Sequence, residues 1–348
     1  MPRVLIPSNH RDFVDYLAES YRGAGWEVVV GTANFEIAGA EFDLVHFQWP
    51  EEIAGWNEPS EAQLIQIAER LDDWGRRAQL VLTAHNLRPH RNGAAPRYRK
   101  LYDLFYDRMH VVAHFTSTSR DEVTRDLPPA SRPKHIVTGY FNLDRLLPAK
   151  RDRAHARNGL NLPSDAFAIL VFGGLREWAE VELIRDGFDR ASVPGKSLLM
   201  CGRYDESGPS WRQRWRRWTW SRWLRSRKAV IVQGYVPDGD VHRVADAADA
   251  VLIPRLRSMN SGLPALGASF GKIIIAPRCG AYPELLAGTH HPIYEPGDPS
   301  SLARAMEVAS KLDRMTIATE DRRLADSWQW TKMIDTILAA LRQERWSQ

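Results

Sequence analysis

The sequence has few cysteines and no long apolar run, and both absences limit what the protein can be. Its two cysteines, Cys201 and Cys279, cannot form a disulfide framework or a multi-cysteine zinc site, and they suit a reducing compartment. No stretch approaches the ~20 apolar residues of a membrane-spanning helix, and the apolar run near the N-terminus is too short for a signal peptide. We therefore expect a cytoplasmic protein that does not cross a membrane.

The composition that remains is that of a folded protein with two domains. The 348 residues are 44% hydrophobic and 26% charged, both typical of globular chains, and the length corresponds to two domains of ~100–200 residues each. Short apolar runs alternate with amphipathic segments along the whole chain, which is typical of βαβ units around parallel sheets. The pattern predicts an α/β protein with two doubly wound, Rossmann-like domains that face a central cleft, followed by C-terminal helices.

A change of composition marks the expected boundary between the domains. The periodicity fades after residue 142 into prolines, arginines and asparagines, as in an interdomain linker. We predict an N-terminal domain over residues 1–145, a linker over 146–164, a C-terminal domain over 165–330 and a final helix over 331–348.

The net charge of +4 is concentrated in one segment, Trp211–Lys228, which holds eight basic residues and no acidic ones. Its tryptophans at helical spacing, Trp211, Trp215 and Trp218, together with the surrounding arginines suit a helix at an anionic membrane surface. Three alternatives are a helix that packs its tryptophans on a sheet, a site for a pyrophosphate-linked lipid, and a site for single-stranded nucleic acid. Because the rest of the chain has a net negative charge, we expect no nucleic-acid partner.

A loop and helix after residue 253 have the features of an anion-binding site. Asn260, Ser261 and Gly262 open a predicted helix, so backbone N–H groups and the positive helix end can face an anion. Arg255 and Arg257 lie close by in the sequence and can add charge-assisted hydrogen bonds. An ordinary helix cap is the alternative for this triplet. We predict that these five residues bind a diphosphate.

A second glycine turn supports the same prediction, and a third motif contributes to a family resemblance. GAYPE, from Gly280 to Glu284, again precedes a helix at the end of the next strand, and FGGLR, which ends in Arg176, follows the first strand of the second domain. With the Asn-Ser-Gly opening, these motifs resemble those of nucleotide-sugar glycosyltransferases of the GT-B fold. The resemblance is to family 4-like enzymes of bacterial exopolysaccharide biosynthesis, of mannosyl- or glucuronosyltransferase type. It implies that the second domain binds the donor, with contacts from Arg176 and Glu284, and that the first binds the acceptor.

The sequence departs from this family at two places. Ser258 and Leu266 stand where many members have a pair of glutamates, and Glu177–Glu180 lacks the usual lysine. These differences favour an inverting transfer, in which a general base takes the proton of the acceptor hydroxyl while cations stabilise the departing diphosphate. A retaining family 4 transferase and a GT-B epimerase are the alternatives. Neither a metal site nor a cofactor is expected, since histidines and carboxylates lack ligand spacing.

The acceptor site is expected at strand ends of the first domain. Glu51 is the first choice for the general base, with His85 as the second catalytic candidate. Tryptophan and histidine suit contacts with a sugar ring, and the acceptor-binding candidates are His10, His46, Trp49 and His90. A strand-end cap or a surface polar group is the alternative for each of them.

Together these observations predict a cytoplasmic hexosyltransferase, which can also lie at the inner face of the plasma membrane. Its donor is expected to be a nucleoside-diphosphate sugar, UDP-glucuronate or GDP-mannose first, because Arg278 joins three other arginines that can bind a uronate. The acceptor is expected to be a carbohydrate linked to polyprenyl pyrophosphate. The non-enzyme alternative is a nucleic-acid-binding module that uses the tryptophan- and arginine-rich helix.

Overall fold

The computed structural model describes residues 1–37, 40–89, 95–125, 133–149, 151–202, 204 and 210–345. The chain divides into two compact units, which we call the first unit (residues 1–141 and 328–348) and the second unit (residues 142–327). Each contains one sheet of six parallel strands. The predicted α/β class with two doubly wound sheets is therefore confirmed.

The sheet of the first unit has the strand order β2-β1-β3-β4-β5-β6. Its strands are β1 (Arg3–Ile6), β2 (Glu27–Val30), β3 (Leu44–Phe47), β4 (Gln79–Thr83), β5 (Val111–His114) and β6 (Lys134–Val137). They are rich in valine, leucine and isoleucine, and β3 and β5 are buried along their whole length. Such continuous apolar runs are expected where helices cover both faces of a parallel sheet.

Helices follow the strands of the first unit in turn. They are α1 (Arg11–Gly23), α2 (Pro50–Ile53), α3 (Glu61–Gly75), α4 (Pro96–Arg108) and α5 (Ser117–Thr124). The start of α3 shows how local sequence sets a boundary, because Ser60 and Gln63 form a capping box. The Ser60 hydroxyl accepts a hydrogen bond from the Gln63 backbone, and the Gln63 side chain accepts one from the Ser60 backbone.

The sheet of the second unit has the order β12-β11-β10-β7-β8-β9. Its strands are β7 (Phe167–Phe172), β8 (Lys196–Cys201), β9 (Val230–Val232), β10 (Ala250–Leu252), β11 (Ile273–Pro277) and β12 (Ile293–Tyr294). Its helices are α6 (Arg153–Gly159), α7 (Trp178–Arg190), α8 (Trp211–Ser226), α9 (Asp238–Ala247), α10 (Leu263–Phe270), α11 (Tyr282–Leu285), α12 (Pro299–Ala309) and α13 (Arg314–Ser327).

In each sheet the strand order reverses direction at one point, between β1 and β3 in the first unit and between β7 and β10 in the second. Loops at the carboxyl ends of the strands diverge there and leave room for a ligand, so open parallel sheets bind ligands at this place. The two reversal points therefore locate one candidate site in each unit.

Residues 146–164 do not form a free linker, because α6 (Arg153–Gly159) lies within them and packs in the second unit. The side chain of Arg157 is almost fully buried and donates to three backbone carbonyls of the segment that follows α6. It also pairs with Asp249 at 2.6 Å. A buried guanidinium needs its donors satisfied, and this network fixes the segment to the unit.

The last helix, α14 (Trp330–Arg345), belongs to the first unit rather than to the second. Trp330 stacks on Tyr16 of α1 with a centroid separation of 5.2 Å and contacts Phe13 at 4.8 Å. Gln79 at the start of β4 also donates to a backbone carbonyl of α14. The first unit is thus completed by residues from the far end of the chain.

Candidate functional site

At the reversal point of the second unit, one carboxylate joins the loops that follow β7 and β10. Glu180 Oε2 accepts hydrogen bonds from Arg255 Nη1 at 2.8 Å and from the backbone N–H of Arg176 at 2.6 Å. Arg255 Nη2 also donates to the Gly174 carbonyl at 3.0 Å. Both Arg255 and Glu180 are buried. Arg255 was predicted to contact the donor, but its terminal nitrogens are committed to holding the two loops together.

Arg176 and Arg257 supply guanidinium groups that face solvent at this edge. Neither has an ion pair or a side-chain hydrogen bond within the part of the chain that the structure describes. The pKa of Arg176 is lowered, mainly because nearby protein atoms desolvate it and secondly because of the charge of Arg255. An arginine stays charged at neutral pH even so. The edge thus presents two guanidinium groups that an anion can bind.

The loops after β10 and β11 are in direct contact through Gly280. Its φ is +53°, and an added Cβ would lie 1.7 Å from the Ser258 carbonyl oxygen. Beside it, the Ala281 backbone N–H donates to the Met259 carbonyl at 3.0 Å. A glycine is required here for the backbone angle and for the close approach. The GAYPE turn therefore supports the loop that carries Asn260.

The loops after β7 and β8 pack equally closely. An added Cβ at Gly202 would lie 2.0 Å from the Gly173 carbonyl oxygen. The Gly173 backbone N–H donates to the Cys201 carbonyl at 2.7 Å. These contacts fix the backbone at Gly173, within the FGGLR motif, so Arg176 follows at the reversal point.

Helix α10 starts where the Asn-Ser-Gly triplet predicted a helix. Gly262 is its N-cap residue and supplies no side-chain cap, while Ser261 Oγ accepts from the Leu263 backbone N–H at 3.3 Å. The Asn260 side chain is buried, and every residue of the helix itself is buried as well. A positive helix end therefore lies at the same sheet edge as Arg257. The Ser261 contact is also what an ordinary cap makes.

The remaining donor candidates are exposed at the end of β11. Glu284 lies in α11 with its side chain in solvent. Arg278 is exposed too, but it pairs with Glu295 at 2.7 Å. Of the arginines considered for a uronate carboxylate, Arg255 and Arg278 are thus engaged within the protein.

The corresponding edge of the first unit is aromatic. Trp49, which follows β3, stacks on His85, which follows β4, with a centroid separation of 4.3 Å. His10, after β1, contacts Trp49 at 4.8 Å, and Phe13 meets the His85 ring edge-on at 4.6 Å. His10 is exposed, while Trp49 and His85 are half-buried. The structure therefore brings two predicted acceptor-binding residues, His10 and Trp49, together with the catalytic candidate His85.

A buried glutamine orients His85. Gln48 Oε1 lies 2.9 Å from His85 Nε2, and Gln48 is 2% exposed. Burial lowers the pKa of His85 to about 3, so the ring is neutral at physiological pH. Sequence reasoning did not identify Gln48 or Phe13. The only signal for Gln48 was its place between two candidate residues just after an apolar strand.

The two glutamates of α2 are both buried and have different partners. Glu51 accepts a hydrogen bond from the Tyr102 hydroxyl at 2.7 Å, and burial raises its pKa above the usual value. Glu52 accepts from Ser8 Oγ and from the Asn9 backbone N–H, each at 2.6 Å. Glu52 thereby ties the loop after β1 to the loop after β3. Glu51 points toward α4, and its role as the base stays a prediction.

His46 lies inside β3 rather than at its end, so it does not reach the aromatic edge. It is fully buried, with Nδ1 2.9 Å from the Tyr21 hydroxyl and Nε2 2.8 Å from Thr83 Oγ1. Burial lowers its pKa to about 3. The structure therefore assigns His46 to the core and not to acceptor binding. His90, another acceptor candidate, lies outside the described residues.

Comparison with known proteins identifies the fold. No family model and no curated protein matches the chain. Among solved structures, sucrose-phosphate synthase from Thermosynechococcus elongatus has a TM-score of 0.72 at 16% identity, with 100% of both chains covered. HepE from Anabaena, in complex with UDP-glucose, has a TM-score of 0.71 at 15% identity, covering 99% of this chain and 100% of that one. The chain has the GT-B fold.

A third structure with this fold is a glycosyltransferase from Rickettsia africae, with a TM-score of 0.70 at 12% identity and 98% of both chains covered. At such identities the likeness concerns the GT-B fold, and residue roles have to come from the geometry above. Within its described residues, the GT-B chain has no helix with the length and apolarity to span a membrane.

Proposed function

We propose that this protein is a glycosyltransferase that moves a sugar from a nucleoside diphosphate to a carbohydrate acceptor. The observation that carries the proposal is the exposed guanidinium of Arg176 at the reversal point of the second sheet. Glycine turns hold it there, and α10 begins at the same edge. Fixed cations and helix N-termini stabilise a departing diphosphate, which is the charge that develops in glycosyl transfer.

The positive charge of the arginines at this edge supports a diphosphate as the bound group. Arg176, Arg255 and Arg257 lie in the loops of this edge, and Glu180 neutralises only one of them. We propose uridine nucleotides as the first donors to test, because HepE was solved with UDP-glucose. UDP-glucuronate and GDP-mannose remain candidates. The exposed Glu284 carboxylate is proposed to accept hydrogen bonds from donor hydroxyls.

The acceptor is proposed to bind the aromatic edge of the first unit. The ring faces of Trp49 and His10 suit the apolar face of a sugar. In an inverting transfer the acceptor oxygen bonds to the anomeric carbon, the bond to the diphosphate breaks, and the diphosphate leaves with its electron pair. The acceptor proton passes to a base, for which neutral His85 and buried Glu51 are the candidates.

The acceptor sugar is proposed to be linked to polyprenyl pyrophosphate, in the synthesis of an exopolysaccharide. This part of the proposal depends on the sequence resemblance and on the cationic helix α8, which suits work at a lipid surface. Analysis of the product would show the anomeric configuration, and retention would favour a family 4 retaining mechanism instead.

Donor binding is the first test. Thermal unfolding is measured with UDP, GDP, UDP-glucose, UDP-glucuronate and GDP-mannose, because a ligand of the folded state raises Tm by mass action. We expect a rise with at least one uridine or guanosine nucleotide. Arg176→Ala should weaken that binding by about 10–100-fold, the worth of a hydrogen bond to a charged group. The matched control is Arg243→Ala, an exposed arginine of the same unit at α9.

Two outcomes would overturn the donor site. In one, neither UDP nor GDP shifts Tm. In the other, Arg176→Ala binds as tightly as the wild type.

Turnover is the second test, with release of the nucleoside diphosphate as the readout. His85→Ala and Glu51→Gln are compared with the wild type, and donor binding is measured for each. Loss of a general base lowers turnover by about 10²–10⁴-fold while donor binding persists. Wild-type rates in both variants would remove these residues from the mechanism.

A further inference from the structure

Helix α8 has two faces that differ in what covers them. At about 100° per residue, Trp211, Trp215 and Trp218 fall within an arc of about 60° on the helix surface. They are 71%, 57% and 55% exposed. We call these three residues the tryptophan stripe. Large aromatic side chains are seldom so exposed on a folded protein, and three in line form a continuous apolar surface.

The opposite face of α8 anchors the helix to the second unit. Trp220 and Leu224, roughly 180–220° from Trp211 on the same wheel, are buried in the core of the unit. Trp223 stacks on Trp220 at 5.0 Å, and its ring N–H donates to Asp189 at 3.0 Å. Trp220 and Trp223 therefore pack the helix against the unit, and the tryptophan stripe is not needed to hold the helix in place.

Arginines surround the tryptophan stripe. Among the described residues, the following arginines on this side of the helix have no acidic partner: Arg212, Arg214, Arg222 and Arg225. Arg212 lies over the Trp211 ring and Arg222 over the Trp218 ring, at 5.5 and 5.7 Å. By contrast, Arg227 on the anchored side pairs with Asp189 at 2.7 Å. The exposed face thus combines indole rings with uncompensated positive charge.

We propose that the tryptophan stripe and its arginines bind the surface of an anionic lipid membrane, with α8 lying in the plane of the interface. Indole rings favour the boundary between headgroups and acyl chains, where the ring is apolar and its N–H stays hydrated. Arginines beside them pair with lipid phosphates and remain in water. The area is a convex helix face, whereas proteins that bind single strands use a groove that follows the backbone.

None of these tryptophans and arginines has a role in the donor or acceptor site proposed above, so the membrane proposal stands independently of the proposed catalysis. The experiment is sedimentation of the full-length protein with vesicles of phosphatidylcholine alone or mixed with phosphatidylglycerol. We expect binding to the anionic vesicles, little binding to the neutral ones, and a decrease as salt is added.

Two sets of variants divide the surface into its parts. Trp211→Ser/Trp215→Ser/Trp218→Ser removes the apolar contact, with Ile65→Ser/Met315→Ser as a control for exposed apolar residues elsewhere. Arg214→Ala/Arg225→Ala removes charge beside the stripe, with exposed Lys311 and Lys332 changed to alanine as the control. We expect the partition coefficient to fall about fivefold for each arginine removed, and not in either control.

Thermal unfolding of each variant shows that it is folded, which we expect because none of these side chains is buried. The proposal is overturned if the wild type binds neutral and anionic vesicles equally, if it binds neither, or if the triple tryptophan variant partitions like the wild type. Binding of single-stranded oligonucleotides in place of vesicles, with a steep salt dependence, would also overturn it in favour of a nucleic-acid surface.

Discussion

The two sheets differ most in the loops at their carboxyl ends. Both have six parallel strands, and counted within its own unit the second sheet has the order 3-2-1-4-5-6, the usual dinucleotide-binding arrangement. At that edge the second unit has glycine turns and arginines, and the first unit has stacked aromatic rings and neutral imidazole. The edge of the second unit is suited to bind an anion, and the edge of the first unit is suited to bind an uncharged ring that carries hydroxyl groups.

The difference shows where rigidity comes from in each unit. In the second, backbone contacts at glycines and one buried ion pair fix the loops. In the first, ring stacking, the hydrogen bond between Gln48 and His85, and the hydrogen bonds that Glu52 accepts from the loop after β1 do so, without a buried ion pair among the described residues of that edge. Substitutions at the second edge should therefore have larger effects on stability than those at the first.

The largest effect is expected for Arg255→Met. This change leaves the Glu180 carboxylate buried without its cation, which costs about 3–5 kcal/mol of the free energy of unfolding. The counterpart in the first unit is Gln48→Met, which removes a neutral hydrogen bond and should cost about 1–2 kcal/mol. Urea unfolding measures both. Equal losses would show that the two edges are held in the same way.

Gly280→Ala should have the next largest effect. The new methyl group clashes with the Ser258 carbonyl oxygen, and the positive φ adds strain. We therefore expect the free energy of unfolding to fall by about 2–4 kcal/mol, and nucleotide binding to be lost as well. Gly288→Ala is the matched control, because its φ is +75° but nothing lies within 4 Å of the added Cβ. A Gly280 variant that is no less stable than the Gly288 variant would contradict the contact between the loops.

Glu51→Gln should have a smaller effect on stability, and one that depends on pH. Burial raises the pKa of Glu51 in the folded chain. A carboxyl group with a raised pKa stabilises the fold below its unfolded pKa, and this contribution is lost as the pH rises through the folded value. The variant should therefore lose less stability between acid and neutral pH than the wild type. Chemical unfolding at several pH values measures this, with exposed Glu61→Gln as the control.

Removal of metal ions should have the smallest effect of these changes, and its readout is nucleotide binding. If Arg176 and Arg257 neutralise the diphosphate, EDTA should leave the nucleotide-induced rise in Tm unchanged. The same titration with added Mg²⁺ is the control. A nucleotide shift that appears only with the metal present would assign part of the charge to an ion.

The fold could be predicted from the sequence because most strands contain a short apolar run, which in β11 is buried along its whole length. The position of His46 could not, because β3 is buried on both faces and shows no alternation. The strand ends at Phe47, so Gln48 and Trp49 are at the edge while His46 is one residue too early.

Contacts between segments that lie far apart in the chain could not be predicted from the sequence either. Arg255 looked available for a ligand because nothing near it in the chain is acidic, yet its partner Glu180 is 75 residues away. The predicted linker was misplaced for the same reason, since the partner of Arg157 is Asp249. By contrast, the start of α10 depends on the adjacent Asn-Ser-Gly residues, and there the local pattern predicted the helix correctly.

The return of α14 to the first unit has a consequence for synthesis on the ribosome. The apolar surface of α1 around Tyr16 stays uncovered until Trp330 has been translated and has left the exit tunnel. All of the second unit is made before that moment. Because the chain is synthesised from its N-terminus, the second unit can be completed before the first. A nascent chain stalled before residue 328 should therefore expose an apolar surface on its first unit, to which chaperones bind.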